Sequence, residues 1–571
     1  MKRFAKMILC LCLLMQNVGC VDHLLDYPAT TQVSTDIFWK TMEDAEKGVN
    51  AVYSAMRTAF GLNYKLDCFP YGDLLYFQQQ NEQSITSNYW NNCYAAINRA
   101  NNAISHLKDM QATAIESDKE LLRRYEGEVR FLRALHYAFL IDLYGDVQYL
   151  DHVPTQEEAY SIARMPIVQV RDSILKDYDF AISALPPSYT DANDVGRVTK
   201  VAALAFKGKL ELYWACWKKN GRPEIKGFSQ DQAEAEAYYR KAIDDFSEVM
   251  SPQYGLELFG GGEPGEYVNP NYLQLFDVAN EKCSEVIFAI QYGGPNIGQG
   301  EELVKYFGNR SVLNGWANVQ PTNYLVDRYQ SVKTGDYVEP VVLGSNESLP
   351  NGAANPDTYR DRDWRMRGTI VWNGEKMRTI TVDGMTIGDS LAFWFGNKTG
   401  YIDYNDSRSG YMFRKFVRQY AGFSRSNGPQ DFYLMRLPDV WLMYCEAMNE
   451  LYGPSEELFV LVDKIRRRGN LPGLDRSKFN TKELFFKAIE QERAIEFVAE
   501  GLRFFDIRRW RMAEEIWNYP NGRELRSTLN DFIQDQFKNA TDRTFPRYYI
   551  YDIPEDERIQ NPNLTQNEPW L

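Results

Sequence analysis

Histidine is scarce in this chain of 571 residues: His23, His106, His136 and His152 are the only four, and they stand apart from one another. The eight cysteines contain no Cys-x-x-Cys spacing, so a zinc site has almost no sequence support. Neither a His-Glu-x-x-His run nor a Gly-x-Ser-x-Gly turn occurs, which removes the local signatures of zinc peptidases and serine hydrolases. An excess of basic residues is missing too. The formal charge is −14, and a strongly acidic chain repels a phosphate backbone, which argues against nucleic acid as a partner. Beyond residue 19 there is no long uncharged apolar run of the kind a membrane-spanning helix needs.

What is present suits a large folded core. Hydrophobic residues make up 44% of the chain and charged residues 25%, an ordinary globular balance. The aromatic content of 14%, with 37 Tyr, 31 Phe and 12 Trp, is high. Flat rings with a polar edge serve helix packing and the face of a sugar ring equally well, so composition alone does not choose between those uses.

Residues 1–19 read as a targeting segment: Lys2, Arg3 and Lys6, then the apolar run 7–15, then Gly19. That run is too short to cross a bilayer. Cys20 follows Gly19, so the ending resembles a bacterial lipoprotein signal in which Cys20 is acylated and becomes the mature N-terminus. Asn17 stands where such signals carry an aliphatic residue, so the reading rests on Gly19-Cys20; a plain secretory signal cut elsewhere is the alternative. With Cys10 and Cys12 in the leader and Cys20 lipidated, Cys68, Cys93, Cys216, Cys283 and Cys445 are left scattered. Five cannot all pair, and no disulfide scaffold is expected.

Helical periodicity dominates residues 36–250. The spacing predicts helices over 94–107 and 125–144, the second closing at Gly145; over 168–185, ended by Pro186-Pro187; and over 199–217 and 233–250, stopped by Pro252. Later blocks fall at 438–451, 455–468, 481–499 and 502–517. Small residues where helices must approach (Ala134, Ala138, Ala203, Gly208, Ala242, Ala447) resemble tetratricopeptide packing, although the period is too irregular for a consensus array. Residues 251–430 change character, with a triple glycine at 260–262 and short strand-like runs at 286–292, 369–372 and 377–382. The last two flank Asn373-Gly374, a favoured hairpin turn. Loops this long usually carry function or form an appended subdomain.

A set of ordered segments then points to one family. They are Leu24-Leu25-Asp26-Tyr27-Pro28, Phe38-Trp39-Lys40-Thr41, Asp44-Ala45, Ala51-Val52-Tyr53, YAAINRAN at 94–101, EVRFLRALHY at 128–137 and LYGDV at 143–147. Arg436-Leu437-Pro438-Asp439-Val440, ERAIEFVAEGLRFFDIRRW at 492–510, Ile553-Pro554, Asn561-Pro562-Asn563-Leu564 and Gln566-Asn567 follow. In order and spacing this series resembles the SusD/RagB family along nearly the whole mature chain. The resemblance implies a mainly α, SusD-like fold with tetratricopeptide-like helix pairs and a loop-rich region with short β-hairpins. It divides the chain into a signal (1–19), a lipid-anchored tether (20–35), an N-terminal helical part (36–250), a loop and hairpin insertion (251–430) and a C-terminal helical part (431–571). It further implies a non-enzymatic, cofactor-free receptor lipid-anchored at the outer-membrane surface. Such a receptor acts as lid on a SusC-like TonB-dependent transporter and captures an oligosaccharide, or a peptide as RagB-like members do.

Two regions concentrate aromatic rings beside hydrogen-bonding groups. The first holds Asp67, Tyr71, Asp73, Tyr89, Trp90 and Asn91; the second, in the middle insertion, holds Trp316, Trp372 and Trp394. Rings supply contact area while amides and carboxylates orient hydroxyls. Trp90 and Trp316 each sit beside family-like framework and are read as core; Trp372, beside the Asn373-Gly374 turn, is the better candidate for exposure. Arg493, Glu496, Glu500, Arg503 and Asp506 are expected to form a structural ion-pair network, because helical steps of three and four place opposite charges side by side. A glycosidase needs two carboxylates across a cleft; acids are plentiful, but no local acid/base signature marks such a pair. Asp403, Asn405, Asp406 and Ser407 do not complete a calcium loop, and the triple glycine lacks the strand-to-helix setting of a phosphate loop.

Acylation contributes roughly 0.8 kcal/mol per buried methylene, so losing the lipidated cysteine is decisive for anchoring. Cys20→Ala is expected to move the protein from the outer-membrane to the soluble fraction in cells lacking the partner transporter; retention of the variant in the membrane pellet contradicts acyl anchoring there.

Overall fold

The structure is a computed structural model that describes residues 38–61, 74–77, 82–294, 300–308, 315–342, 349–352, 355–372, 380–382, 385–387, 410–417, 425–514 and 547–571. Cys20, Asp67, Tyr71, Asp73, Trp394 and the oxygen-rich stretch 403–407 lie outside the described residues.

Helix α1 (Met42–Phe60) starts at a reciprocal cap: the Asp44 N–H donates to Thr41 Oγ1 at 3.1 Å, and the Thr41 N–H donates to the Asp44 carboxylate at 2.9 Å. Its buried face, with Ala45, Val49, Val52 and Met56, follows the three-and-four step of an amphipathic helix. After strand β1 (Leu75–Phe77) come α2 (Glu82–Thr113), α3 (Glu116–Tyr144), α4 (Ile167–Ala184), α5 (Lys200–Asn220) and α6 (Gln232–Val249). Each helix packs on the next along the chain, α2 on α1 through to α6 on α5, and the stack reproduces the expected tetratricopeptide-like pairing. The expected stops hold: α3 closes at Gly145 with φ +73°, α4 ends before Pro186-Pro187 and α6 before Pro252. Gly208 marks the closest approach of α5 and α6, since a Cβ there would lie 2.8 Å from the Phe246 ring.

Helix α2 departs from expectation by starting twelve residues before 94. Its first turns hold Ser84, Thr86, Asn88, Asn91 and Asn92, poor helix formers whose low propensity is overridden by packing on α3. Tyr89 and Trp90 thereby fall on its inner face, edge-on to Phe139 and Tyr144 at centroid separations of 5.3 and 5.1 Å.

Strand β2 (Val286–Ile290) pairs antiparallel with β4 (Phe432–Arg436), and β1 with β3 (Val319–Pro321). All sheets among the described residues are two-stranded. The hairpin expected across Asn373-Gly374 is not the pairing observed: Ile370–Val371 pairs with Met412–Phe413, and Ile380–Val382 with Met385–Ile387. A favoured turn dipeptide loses here to a long-range partner that buries both strands of the pair. The chain then runs into α7 (Leu437–Tyr452), α8 (Glu456–Arg468), α9 (Lys482–Glu496) and α10 (Arg503–Arg509). Helices α9 and α10 are shorter than the periodicity predicts. The backbone turns left-handed at Ala499 (φ +62°) and Arg511 (φ +57°), where a regular helix cannot continue. Cys93, Cys216 and Cys445 are buried, Cys283 is half-buried, and all four are free thiols.

Buried charge holds the second half together. Arg365 contacts Asp363 (2.7 Å), Glu492 (2.9 Å) and Glu496 (3.2 Å). Arg436 contacts Glu285 (2.6 Å), Glu496 (3.0 Å) and Glu500 (2.7 Å). Arg466 pairs with Glu492, Arg468 with Glu285 and Glu496, and Lys415 with Glu500. These five cations and five carboxylates balance, and every one of the ten side chains is at most 5% exposed. The structural reading of the 493–506 charges is right, yet most partners come from elsewhere. Arg493 does pair with Asp506, but also with Asp439, while Arg503 reaches Glu490.

Removing one member of a buried ion cluster leaves its partners uncompensated, at a cost of about 3–5 kcal/mol. Arg365→Met, which leaves Asp363 without a cation and takes one partner each from Glu492 and Glu496, is expected to lower unfolding stability by that amount in urea titration; an unchanged midpoint counts against the network as a structural keystone.

Candidate functional site

Strand pairing brings the two aromatic-rich regions of the sequence to one place. Strand β1, which begins two residues after Asp73, lies against β3, which begins three residues after Trp316, in the register Leu75↔Pro321 and Phe77↔Val319. Thr322 secures the joint, its N–H and its hydroxyl both donating to the Leu74 carbonyl at 3.0 Å.

The geometry around Trp316 is built by a backbone clamp. The N–H groups of Trp316, Ala317 and Asn318 donate to the carbonyls of Lys305 (2.6 Å), Gly308 (3.0 Å) and Tyr306 (2.9 Å). Ala317 is fully buried and left-handed, with φ +50°, a conformation that costs an L-residue roughly 1–2 kcal/mol. The sharp turn sends Ala317 inward and Trp316 outward: Trp316 is 39% exposed and so lies outside the core. The Tyr306 ring meets it edge-on (centroids 5.4 Å, planes at 88°), and the Lys305 ammonium sits 4.2 Å from its centre. Lys305 is in turn held by Glu302 at 2.5 Å and through its own N–H by the Arg425 carbonyl. The result is a half-exposed aromatic surface with a cation over the ring and a second aromatic ring edge-on to it. It supplies contact area and hydrogen bonds.

The other sequence candidates divide. Trp316, read as core, is exposed. Trp372, read as exposed, is 4% exposed and stacked on Tyr359 at 5.0 Å, because its strand pairs inward with Met412–Phe413. Tyr89 and Trp90, each 1% exposed, are core rings of α2; for Tyr89 this corrects a candidate contact, and for Trp90 it agrees with the core reading. Asn91 is exposed, on the outer side of the same helix. The signal that would have found Trp316 is the Ala317 turn, and a left-handed alanine leaves no mark in sequence.

Among the described residues no group of three His, Cys, Asp or Glu side chains could hold a metal ion. One carboxyl pair does meet, Glu211 and Asp245 between α5 and α6. Burial, reinforced by the Asp245 charge, raises Glu211 to about 9, and Lys207 lies 3.5 Å from Asp245. These groups share a helix interface.

Comparison with known proteins agrees with this picture. Residues 284–570 match the SusD family, and residues 36–212 match a family described as starch-binding and associating with the outer membrane. SusD-like protein P2 of Formosa agariphila is 24% identical, over 98% of this chain and 98% of that protein. The fold superposes on a SusD-like carbohydrate-binding protein of Bacteroides fragilis with a TM-score of 0.70 at 21% identity, covering 92% of this chain and 100% of the other. A laminarin-binding SusD-like protein gives a TM-score of 0.60 at 20% identity over 93% and 99% of the two chains. The chain belongs to the SusD family, a family of outer-membrane-associated carbohydrate-binding proteins rather than enzymes.

Truncating a buried large aromatic costs about 3–5 kcal/mol. Trp372→Ala is therefore expected to lower the thermal midpoint clearly and Trp316→Ala to leave it nearly unchanged; calorimetry giving the reverse order would remove Trp316 as an exposed platform.

Proposed function

We propose that this protein captures an oligosaccharide on the Trp316 platform at the cell surface and passes it to a SusC-like TonB-dependent transporter, while a lipid on Cys20 tethers it to the outer membrane. The observation that carries the reading is the strained Ala317 turn, which keeps a large ring in solvent where burial would be favourable. Strain held in place by three backbone hydrogen bonds is characteristic of functional sites. An indole face offers a flat apolar surface to the C–H face of a pyranose, and the neighbouring Lys305 ammonium offers donors to its hydroxyls. Family membership supports the ligand class, as do relatives described as binding carbohydrate and laminarin. The helical stack presents an extended surface of the kind that stable interfaces of more than about 1,200 Å² require, which suits a lid on a barrel.

The test uses protein lacking residues 1–20 with panels of oligosaccharides and peptides. Binding of an oligosaccharide should change tryptophan fluorescence, Trp316→Ala should weaken binding at least about tenfold, since few anchors dominate a binding site, and the sugar should be recovered intact. Selective capture of peptides would replace the glycan reading with the RagB-like one. Shortened oligosaccharides absent from a mock purification would replace both with an enzyme.

A further inference from the structure

On the outer face of α2, Asn91, Ala95 and Asn98 are exposed at steps of four and three, so they form one stripe. A cavity of about 320 Å³ lies along it, walled on the far side by the 148–160 segment and by the short helix Glu555–Gln560 near the C-terminus. That volume is at the lower end of the range of about 300–1,000 Å³ typical of small-molecule sites. No residue of the Trp316 segment lines it.

The amides around this cavity fall into two groups. Some hold the walls: Asn561 donates to the Ile162 carbonyl at 2.9 Å, Gln148 to the same carbonyl at 2.8 Å, and the Tyr94 hydroxyl to the Gln148 carbonyl at 2.7 Å. The others, Asn91, Asn98 and Gln560, line the cavity with side chains that make no hydrogen bond to the described residues. Beside them the Tyr160 ring is 44% exposed on the rim. Among the described lining residues Glu557 alone carries a charge, so the cavity has no cation for an anionic ligand. Each free amide offers donor and acceptor together, which matches a hydroxyl that both donates and accepts.

From this arrangement we infer a second ligand site, a pocket for a short neutral saccharide in which Asn91, Asn98 and Gln560 bind hydroxyls and Tyr160 covers a ring face. The site shares with the proposed function only the class of ligand; its residues and its test are separate. A receptor with two saccharide sites holds a long chain at two points, and the second contact becomes intramolecular once the first is made.

The experiment compares wild type, Asn98→Ala/Tyr160→Ala and Trp316→Ala, each lacking residues 1–20, on one array of plant, algal and microbial oligosaccharides with a peptide panel alongside. Asn98 and Tyr160 are exposed, so the double variant should keep its thermal midpoint. It should lose at least tenfold in affinity for one or more oligosaccharides. A double variant whose oligosaccharide profile superimposes on wild type overturns the second site, and so does a loss confined to peptides. Loss in Trp316→Ala alone leaves the platform standing without the pocket; loss in the double variant alone leaves the pocket without the platform; an array with no oligosaccharide bound overturns both.

Discussion

Three carboxylates at and just beyond the end of α9, Glu492, Glu496 and Glu500, follow one another at steps of four residues and repel one another in an isolated segment. They are tolerated because Arg365, Arg436, Arg466, Arg468 and Lys415 arrive from four other stretches of chain to neutralise them. Burying any one of these charges alone is prohibitive, so the segments must assemble together. Residues 251–430 are bound into this assembly, for they supply Glu285, Asp363, Arg365 and Lys415. The network also accounts for two motifs. In Arg436-Leu437-Pro438-Asp439, Arg436 enters the main cluster, Pro438 opens α7 and Asp439 accepts Arg493. In the 492–510 stretch, Glu492, Arg493, Glu496, Glu500, Arg503, Asp506, Arg508 and Arg509 are all paired.

The exposed Trp316 surface depends on that frame. Strand β4 runs into Arg436, and the segment just before it holds the 301–305 region through the Glu301–Gly428 bridge and the Lys305–Arg425 hydrogen bond. Lys305 and Tyr306 then brace Trp316. A rigid support of this kind holds the strained Ala317 turn and keeps the Trp316 ring exposed.

Much of the helical half was legible because its signals are local. Gly145, Pro186-Pro187 and Pro252 end helices through their own backbone chemistry, and small residues mark close helix approach whatever surrounds them. The start of α2 was hidden because amide and hydroxyl residues there favour turns, and only the α3 surface overrides them. Glu496 and Glu500 were read correctly as structural, but their partners lie 28 to 131 residues away and no helical period points to them.

The sequence by itself determined the family, the helix pairs, the acidic character and the two aromatic-rich regions, because composition, periodicity and ordered motifs are properties of neighbouring residues. Tertiary structure decided which rings face water. Trp316 and Trp372 both stand in the loop-rich 251–430 stretch, and neither carries a local mark of its exposure. A left-handed turn clamped to residues 305–308 puts one into solvent, and an inward strand pairing buries the other. Exposure is set by what lies across the fold, and residues far apart in sequence carry no local record of who their neighbours become.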